Sequence, residues 1–170
     1  IAPAQLLAFS TSSSAATLPV TIERVTNHFG VDNEVASFVL PVGATVNMDG
    51  TSLYQAVAAV FIAQALHIPL DFMDQLIIII TALLASIGAA AVPGAGMIML
   101  VIVLESIGIP ADKMAIGLAL IFAVDRPLDM CRTVVNITGD SMVSVLVASS
   151  MGKIHDPKKG KDQDKKYDLK

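Results

Sequence analysis

Long apolar segments alternate along this chain with short breaks of small and polar residues. The longest apolar segment, Leu76 to Leu104, has 29 residues and no charged side chain, whereas about 20 residues are enough to cross a bilayer. Its centre, GAAAVPGAG at residues 88–96, contains glycine and proline, which interrupt helices. Each flanking half has about 12 residues, or about 18 Å of helix, which is roughly half a membrane. A re-entrant helical hairpin is therefore predicted, and the alternative is one kinked transmembrane helix.

Two further apolar segments are interrupted in a similar way. The serine-rich residues 10–14 follow an apolar arm, and NMDGT at residues 47–51 separates two more apolar stretches. Bare backbone at membrane depth is tolerated only where it lines a cavity or lies inside protein. Short, broken hydrophobic segments also indicate the binding site of a transporter. The pattern therefore predicts an all-α membrane protein with re-entrant helical hairpins and broken transmembrane helices.

The last apolar segment, from about Ala111 to Ser150, carries a row of polar residues. At 100° per residue, six of them fall within an arc of about 100°, namely Asp125, Asp129, Arg132, Thr133, Asn136 and Asp140. A charge at the centre of a bilayer costs at least about 2.5 kcal/mol on insertion scales. This face must therefore line a cavity or pair within itself. The alternative is a structural ladder of ion pairs, from Asp129 to Arg132, that pins helices together.

Composition divides the chain into an apolar body and a polar tail. Hydrophobic residues make up 54% and charged residues 15%, with a mean hydropathy of +0.70, whereas soluble chains carry roughly 25% charge. Seven of the 11 lysines and arginines lie in residues 153–170. We expect that segment to be a disordered tail on the cytoplasmic side, because lysines concentrate there near membrane exits. The apolar start at Ile1 lacks a charged leader, and we interpret it as the truncated arm of a longer membrane element.

Charge and cysteine usage narrow the function classes. The body lacks the basic face with interspersed aromatic residues that nucleic-acid binding requires. One cysteine, Cys131, excludes an internal disulfide and a site of several cysteines. The residues left to carry a function are therefore those of the polar row and of the breaks between apolar segments.

The polar row suits a zwitterion with an additional acidic group. Arg132 offers a planar fork that matches a carboxylate, and Asp129, one turn earlier, can take an ammonium group. A second carboxylate can lie against free backbone N–H groups at the serine cluster and at the tip Val92–Gly94. The carboxylates of Asp49 and Asp140, together with carbonyls of unwound backbone near NMDGT, are hard oxygen ligands suited to Na⁺.

Four motifs occur in one order along the chain, and together they resemble a known family. They are TSSSAATLP, NMDGT, VPGAG and the run D-x-x-x-D-x-x-R-T-x-x-N-x-x-G-D. Over residues 1–152 the chain resembles the C-terminal part of a glutamate-transporter-type dicarboxylate/amino acid:cation symporter. The resemblance implies the mobile transport domain, truncated at its N-terminus, which moves like an elevator against a homotrimeric scaffold. It implies secondary active transport rather than an enzyme.

The resemblance also implies roles for individual residues. The substrate would be bound by Ser13, Ser14, Thr51, Val92, Pro93, Gly96, Asp129, Arg132, Thr133 and Asn136. One Na⁺ would bind to Gly43, Asn47, Asn136 and Asp140, a second to Thr45, Ser86, Ile87 and Ala89, and a third to Asn47 and Asp49. Family members place a second arginine at one of two positions that hold Ser12 and Met130 in this chain, and Arg126 is the only other arginine nearby.

The residues of the polar row favour some cargoes and functions over others. Succinate has no ammonium group and would leave Asp129 unpaired, while neutral cargo would leave Arg132 buried without an anion at a cost of several kcal/mol. Aspartate or glutamate is therefore favoured, and a Na⁺-coupled C4-dicarboxylate symporter is the alternative. An intramembrane aspartyl protease would use Asp49 with Asp129 or Asp125, but this chain lacks the Gly-x-Gly-Asp signature expected of that class. A passive channel is a further alternative, and it would show sodium-independent flux. The expected location is the cell membrane, with a bacterial inner membrane favoured.

Overall fold

The computed structural model describes residues 1–157, which form seven α-helices. They are α1 (Ala2–Thr11), α2 (Ser14–Phe29), α3 (Asn33–Val46), α4 (Asp49–Ala65), α5 (Phe72–Ile87), α6 (Ala95–Ser106) and α7 (Ala111–Ser150). The predicted all-α class is confirmed for this part of the chain. In the same range, no helix is both long enough and apolar enough to cross a membrane.

The three predicted breaks all separate helices. Ser12 takes a left-handed conformation with φ 53° after α1, and Ser13 begins α2 by accepting a hydrogen bond from the Ala16 N–H. Such a side-chain cap satisfies one of the amide groups left without a partner at a helix N-terminus. Asn47 and Met48 separate α3 from α4, and residues 88–94 separate α5 from α6.

At two of the three breaks, the helices on either side are also neighbours in space. Helix α1 packs against α2, and α5 packs against α6. Since α5 has 16 residues and α6 has 12, they are about 24 Å and 18 Å long. Contact between two such helices across a seven-residue break requires the chain to fold back, so residues 76–104 are not one kinked helix. Re-entry of this hairpin into a membrane stays a prediction.

Helix α7 lies at the centre and contacts α1, α2, α3, α4 and α6. Five of the six residues on its predicted polar face are buried, namely Asp129, Arg132, Thr133, Asn136 and Asp140, and the sixth, Asp125, is partly exposed. On the opposite face Leu128, Cys131 and Val135 are exposed. The largest apolar cluster lies beside this helix and includes Ile62, Ile78, Leu100 and Leu104, each at most 1% exposed. It fixes α4, α5 and α6 around the polar row.

The chain beyond α7 returns to the connection between α2 and α3. Val31 and Ile154 form an isolated antiparallel β-bridge, and we call residues 153–155 together with residues 30–32 the clasp. The predicted disordered tail thus has its first residues against the body of the protein. Residues 158–170 lie outside the described residues, so for them disorder stays a prediction.

Candidate functional site

A buried ion pair lies at the middle of α7. Asp129 is 2% exposed and Arg132 is 7% exposed, and Nη2 of Arg132 donates a hydrogen bond to Oδ1 of Asp129. The other oxygen, Oδ2, accepts a hydrogen bond of 3.0 Å from the Gly94 N–H. Nη1 of Arg126 lies 3.9 Å from that same oxygen, on a side chain that is 56% exposed. The carboxylate of Asp129 is therefore compensated on both sides within the protein.

The pair does not connect two helices, since both partners belong to α7 and are three residues apart. A structural ladder that pins helices together would need partners on different helices. The tip of the α5–α6 hairpin links the ion pair to another helix, because the Gly94 N–H contacts Asp129 and the backbone of Gly96 lies against Arg132. A Cβ on Gly96 would lie 1.5 Å from Nη1 of Arg132. Glycine is therefore required at position 96 for the hairpin to approach the guanidinium.

Tyr54 of α4 supports the ion pair from a second direction. Its hydroxyl donates a hydrogen bond of 2.6 Å to Oδ1 of Asp125, and Cζ of Arg132 lies 5.4 Å from its ring centroid. A guanidinium at that distance is attracted to the face of the ring. Asp125 thus acts on Arg132 through Tyr54. Sequence reasoning did not find Tyr54, although it lies one helical turn after Thr51 in the NMDGT segment.

Asn136 joins α7 to the start of α4. Its Oδ1 accepts a hydrogen bond of 2.8 Å from the Gly50 N–H, and its Nδ2 donates one of 3.2 Å to Oγ1 of Thr51. Early amide groups of a helix have no partner within the helix, and Asn136 supplies one for α4. Thr133, on the same face, donates its hydroxyl to the Asp129 carbonyl at 2.9 Å. These hydrogen bonds form two groups: those of Asn136 join α7 to the start of α4, and that of Thr133 lies within α7 beside the ion pair.

The two hairpin tips also meet. Oγ of Ser13 donates a hydrogen bond of 2.9 Å to the Ala91 carbonyl, across 78 positions in the sequence. Ser13 and Ser14 are buried, whereas Val92 and Pro93 are exposed on the outer side of the tip. Of the predicted binding residues at this tip, only Gly96 faces the ion pair. Contact between the tips closes this side of the site.

Asp140 is the centre of a second polar cluster, one helical turn beyond Asn136. It is 3% exposed, and its Oδ1 accepts a hydrogen bond of 3.0 Å from Nδ2 of Asn47. A Cβ on Gly43 would lie 2.6 Å from that oxygen, so α3 also approaches closely. Within residues 1–157, no lysine, arginine or histidine forms a salt bridge with Asp140. A buried carboxylate without a cationic partner, beside a broken helix end, fits a hard cation.

The other predicted cation ligands differ in their burial and in what their side chains contact. Asp49 is exposed, but a Cβ on Gly139 would lie 2.9 Å from its Oδ2, so it faces α7. Ser86 and Ala89 are buried, whereas Thr45 and Ile87 are exposed. The hydroxyls of Thr45 and Ser86 donate to carbonyls of their own helices, at 3.0 Å and 2.8 Å. No group of three His, Cys, Asp or Glu side chains suited to a metal occurs among the described residues.

An open apolar groove of about 450 Å³ lies behind this site, between α4 and α7. Tyr54 and Arg132 are among its lining residues, while Thr51, Asp129, Thr133 and Asn136 are not. The groove therefore reaches the polar site at Tyr54 and Arg132. Asp129, Thr133 and Asn136 are buried, so the site is closed on its other sides.

Broken helices whose ends converge on buried charged residues define a class, the binding domains of secondary transporters. Comparison with known proteins agrees with this class. The chain belongs to the Sodium:dicarboxylate symporter family, whose model matches residues 1–150.

Among curated relatives, the chain is 51% identical over 148 residues to "Excitatory amino acid transporter 5" of Homo sapiens, covering 87% of this chain and 26% of the relative. It is 51% identical over 144 residues to human "Excitatory amino acid transporter 1", with 85% and 26% covered. A Caenorhabditis elegans "Excitatory amino acid transporter" is 49% identical over 144 residues, with 85% and 28% covered. The chain thus spans about a quarter of the length of these relatives. They are transporters, which confirms the prediction of a protein that is not an enzyme.

Proposed function

We propose that this chain is the substrate-binding part of a Na⁺-coupled transporter for acidic amino acids, aspartate or glutamate. In this proposal it belongs to a larger multi-pass protein of the cell membrane. It moves as an elevator against a homotrimeric scaffold, and its C-terminus is cytoplasmic. The observation that carries the proposal is the buried pair of Asp129 and Arg132 at the meeting point of two hairpin tips and a broken helix. The relatives named for transport of excitatory amino acids support it.

Cargo binding would replace the ion pair between Asp129 and Arg132 with two ion pairs between these residues and the cargo. Asp129 and Arg132 neutralise each other in the closed site, so neither charge is left uncompensated when cargo is absent. An acidic amino acid carries an ammonium group for Asp129 and a carboxylate for Arg132, and it replaces both partners at once. A ligand with only one of these groups leaves one buried charge without a partner, at a cost of several kcal/mol. Selectivity for a zwitterion with an additional acid follows from this balance.

Cation binding would act on the cargo site from the neighbouring Asp140 cluster. The oxygens that would hold Na⁺ are the Asp140 carboxylate and the carbonyls of Gly43, Asn47 and Asn136. Bound Na⁺ supplies positive charge to a buried carboxylate whose only hydrogen-bond donor within residues 1–157 is a neutral amide. In this proposal Asn136 serves both ligands, because its carbonyl would hold Na⁺ while its side chain holds Gly50 and the predicted cargo residue Thr51. We propose that this residue couples Na⁺ to cargo.

The proposal is tested by calorimetric aspartate binding to the intact transporter, with Na⁺ and with choline in its place. Binding is expected in Na⁺ only, and Asp129→Asn is expected to abolish it. Thr45→Ser is the matched control, because that exposed residue contributes its carbonyl in either form. Binding that is equal in choline would refute the coupling.

A C4-dicarboxylate is the second candidate cargo, and one observation favours it. Arg126 lies 3.9 Å from Asp129 and could compensate that carboxylate, which would leave Arg132 for the dicarboxylate. Competition by succinate, serine and aspartate separates the candidates. Strong competition by succinate with weak competition by aspartate would replace the proposed cargo with a dicarboxylate.

A further inference from the structure

The clasp joins the end of α7 to the corner between α2 and α3 through backbone hydrogen bonds. The N–H of Asp32 donates to the Lys153 carbonyl at 3.0 Å, and the N–H of His155 donates to the Gly30 carbonyl at 2.7 Å. Val31, at the centre of the bridge, is 2% exposed and packs in an apolar cluster with residues of α2, α3 and α7. The clasp is thus continuous with the core rather than laid on the surface.

Two side-chain pairs add to the backbone contacts. Nζ of Lys153 lies 2.6 Å from Oε2 of Glu34, and Nε2 of His155 lies 3.2 Å from Oδ2 of Asp32. Asp32 also accepts a hydrogen bond from the Glu34 N–H, so it caps α3. That N–H and the His155 side chain hold the pKa of Asp32 below its ordinary value. Because these pairs are exposed to water, each contributes little, and the backbone pairing defines the geometry.

Residue 30 must be glycine for the clasp to form. Gly30 ends α2 with φ +71°, a conformation that side chains rarely adopt. A Cβ at this position would lie 1.8 Å from the His155 carbonyl oxygen. The close contact therefore depends on a residue without a side chain.

The clasp and the Asp140 cluster attach α3 to α7 at opposite ends. The start of α3 is held by the clasp, and its last turn is held where Asn47 donates to Asp140 at 3.0 Å. The 14 residues of α3 separate these attachments by about 21 Å. A slip of α3 by one turn would move Asn47 by about 5.4 Å and break its bond to Asp140. The register of α3 at the clasp therefore sets the position of Asn47 at the polar cluster.

We propose that the clasp is a positioning element for the cation site, fixing α3 on α7 so that Asn47 and Gly43 meet Asp140. This inference rests on the proposed function in that it takes Asp140 and its neighbours to bind Na⁺. None of the clasp residues touches the site, so their effect is on geometry alone. Loss of the clasp is expected to weaken Na⁺ binding while leaving the cargo contacts of Asp129 and Arg132 intact.

Two truncations of the intact transporter test the proposal. Ending the chain after Gly152 removes the clasp, whereas ending it after Pro157 keeps the clasp and serves as the matched control. The Na⁺ concentration for half-maximal aspartate binding is expected to rise about threefold to tenfold in the first truncation only. Aspartate affinity at saturating Na⁺ is expected to stay the same in both.

A pair of substitutions repeats the test at full chain length. His155→Pro removes the N–H that pairs with Gly30, and His155→Gln keeps that N–H together with a polar side chain. The proline variant is expected to behave like the truncation after Gly152, and the glutamine variant like the unmodified protein. Equal Na⁺ dependence in both members of either pair would overturn the proposal.

Hydrogen exchange without Na⁺ or aspartate separates this proposal from the proposed function. Residues 43–51 are expected to exchange faster when the clasp is removed, because α3 loses its register. Faster exchange limited to residues 30–36 would mean that the clasp acts only locally, and the inference would fail. A protein that binds no aspartate would refute the proposed function, while the exchange at residues 43–51 would still decide the role of the clasp.

Discussion

Replacing Arg132 with methionine removes one partner of the buried ion pair and keeps much of the side-chain volume. Asp129 would keep its hydrogen bond from the Gly94 N–H at 3.0 Å and the distant Arg126 at 3.9 Å. Breaking a buried pair on one side costs about 3–5 kcal/mol. The two remaining contacts place this case near the lower limit, at about 3 kcal/mol. Losing the contact with the Tyr54 ring adds about 1 kcal/mol.

The expected destabilisation is therefore about 4 kcal/mol. Each kcal/mol shifts the Tm of a chain of this size by about 2–4 °C, so Arg132→Met is expected to lower Tm by about 8–16 °C. Adding Asp129→Asn removes the charge that was left alone, and we expect it to restore about 2–3 kcal/mol. Aspartate binding is expected to be lost in both variants, because each lacks a residue that binds the cargo in the proposed function.

Thermal unfolding of purified protein in detergent, monitored by size-exclusion chromatography of the remaining folded fraction, measures these shifts. Arg126→Met is the matched control, and its exposed side chain is expected to contribute less than about 1 kcal/mol. The reasoning fails if the two substitutions at Asp129 and Arg132 are additive. It also fails if Arg132→Met unfolds at the same temperature as the control.

Two further substitutions test the supports of the two clusters. Tyr54→Phe loses the hydrogen bond to Asp125 but keeps the ring beside Arg132, so aspartate affinity is expected to fall about threefold to tenfold, as for one hydrogen bond of about 1 kcal/mol. Gly43→Ala places a methyl group 2.6 Å from Oδ1 of Asp140. The Na⁺ concentration required for aspartate binding is therefore expected to rise, while aspartate affinity in saturating Na⁺ stays unchanged. Calorimetry measures the affinities of both variants.

Each of these substitutions has its own control. Tyr54→Leu removes both the hydroxyl and the ring, and a loss of affinity no larger than that of Tyr54→Phe would show that the ring contributes nothing. Gly88→Ala adds a methyl group whose nearest neighbour is the Ala85 carbonyl at 3.8 Å. An equal change in Na⁺ requirement for Gly88→Ala and Gly43→Ala would contradict a specific role for the contact with Asp140.

The breaks and the polar face were predictable because they depend on local sequence. Glycine, proline and serine clusters interrupt helices wherever they occur, and the structure has its breaks at residues 12–13, 47–48 and 88–94. The polar arc of α7 follows from helical periodicity alone, so the burial of Asp129, Arg132 and Asn136 agrees with a wheel drawn from the sequence. The roles assigned to these residues in transport and cation binding stay predictions.

Contacts between distant segments were not predictable in the same way. The partners of Tyr54 depend on how α4 packs against α7, and no periodic pattern marks that choice. The hydrogen bond from Ser13 to Ala91 requires two hairpin tips to meet, although they are 78 residues apart. The tail was predicted to leave the body at residue 153, yet its first three residues pair with residues 30–32.

The sequence by itself determined which residues are polar, where helices must stop and which face of α7 avoids apolar surroundings. These properties follow from side-chain chemistry and backbone geometry within a few residues. Only the tertiary structure decided that the Gly94 N–H completes the ion pair of Asp129 and Arg132, that Gly96 lies against the guanidinium and that the clasp joins the end of α7 to the start of α3. A pair within one helix follows from the sequence, whereas the groups that meet it from other helices are set by the packing of whole helices.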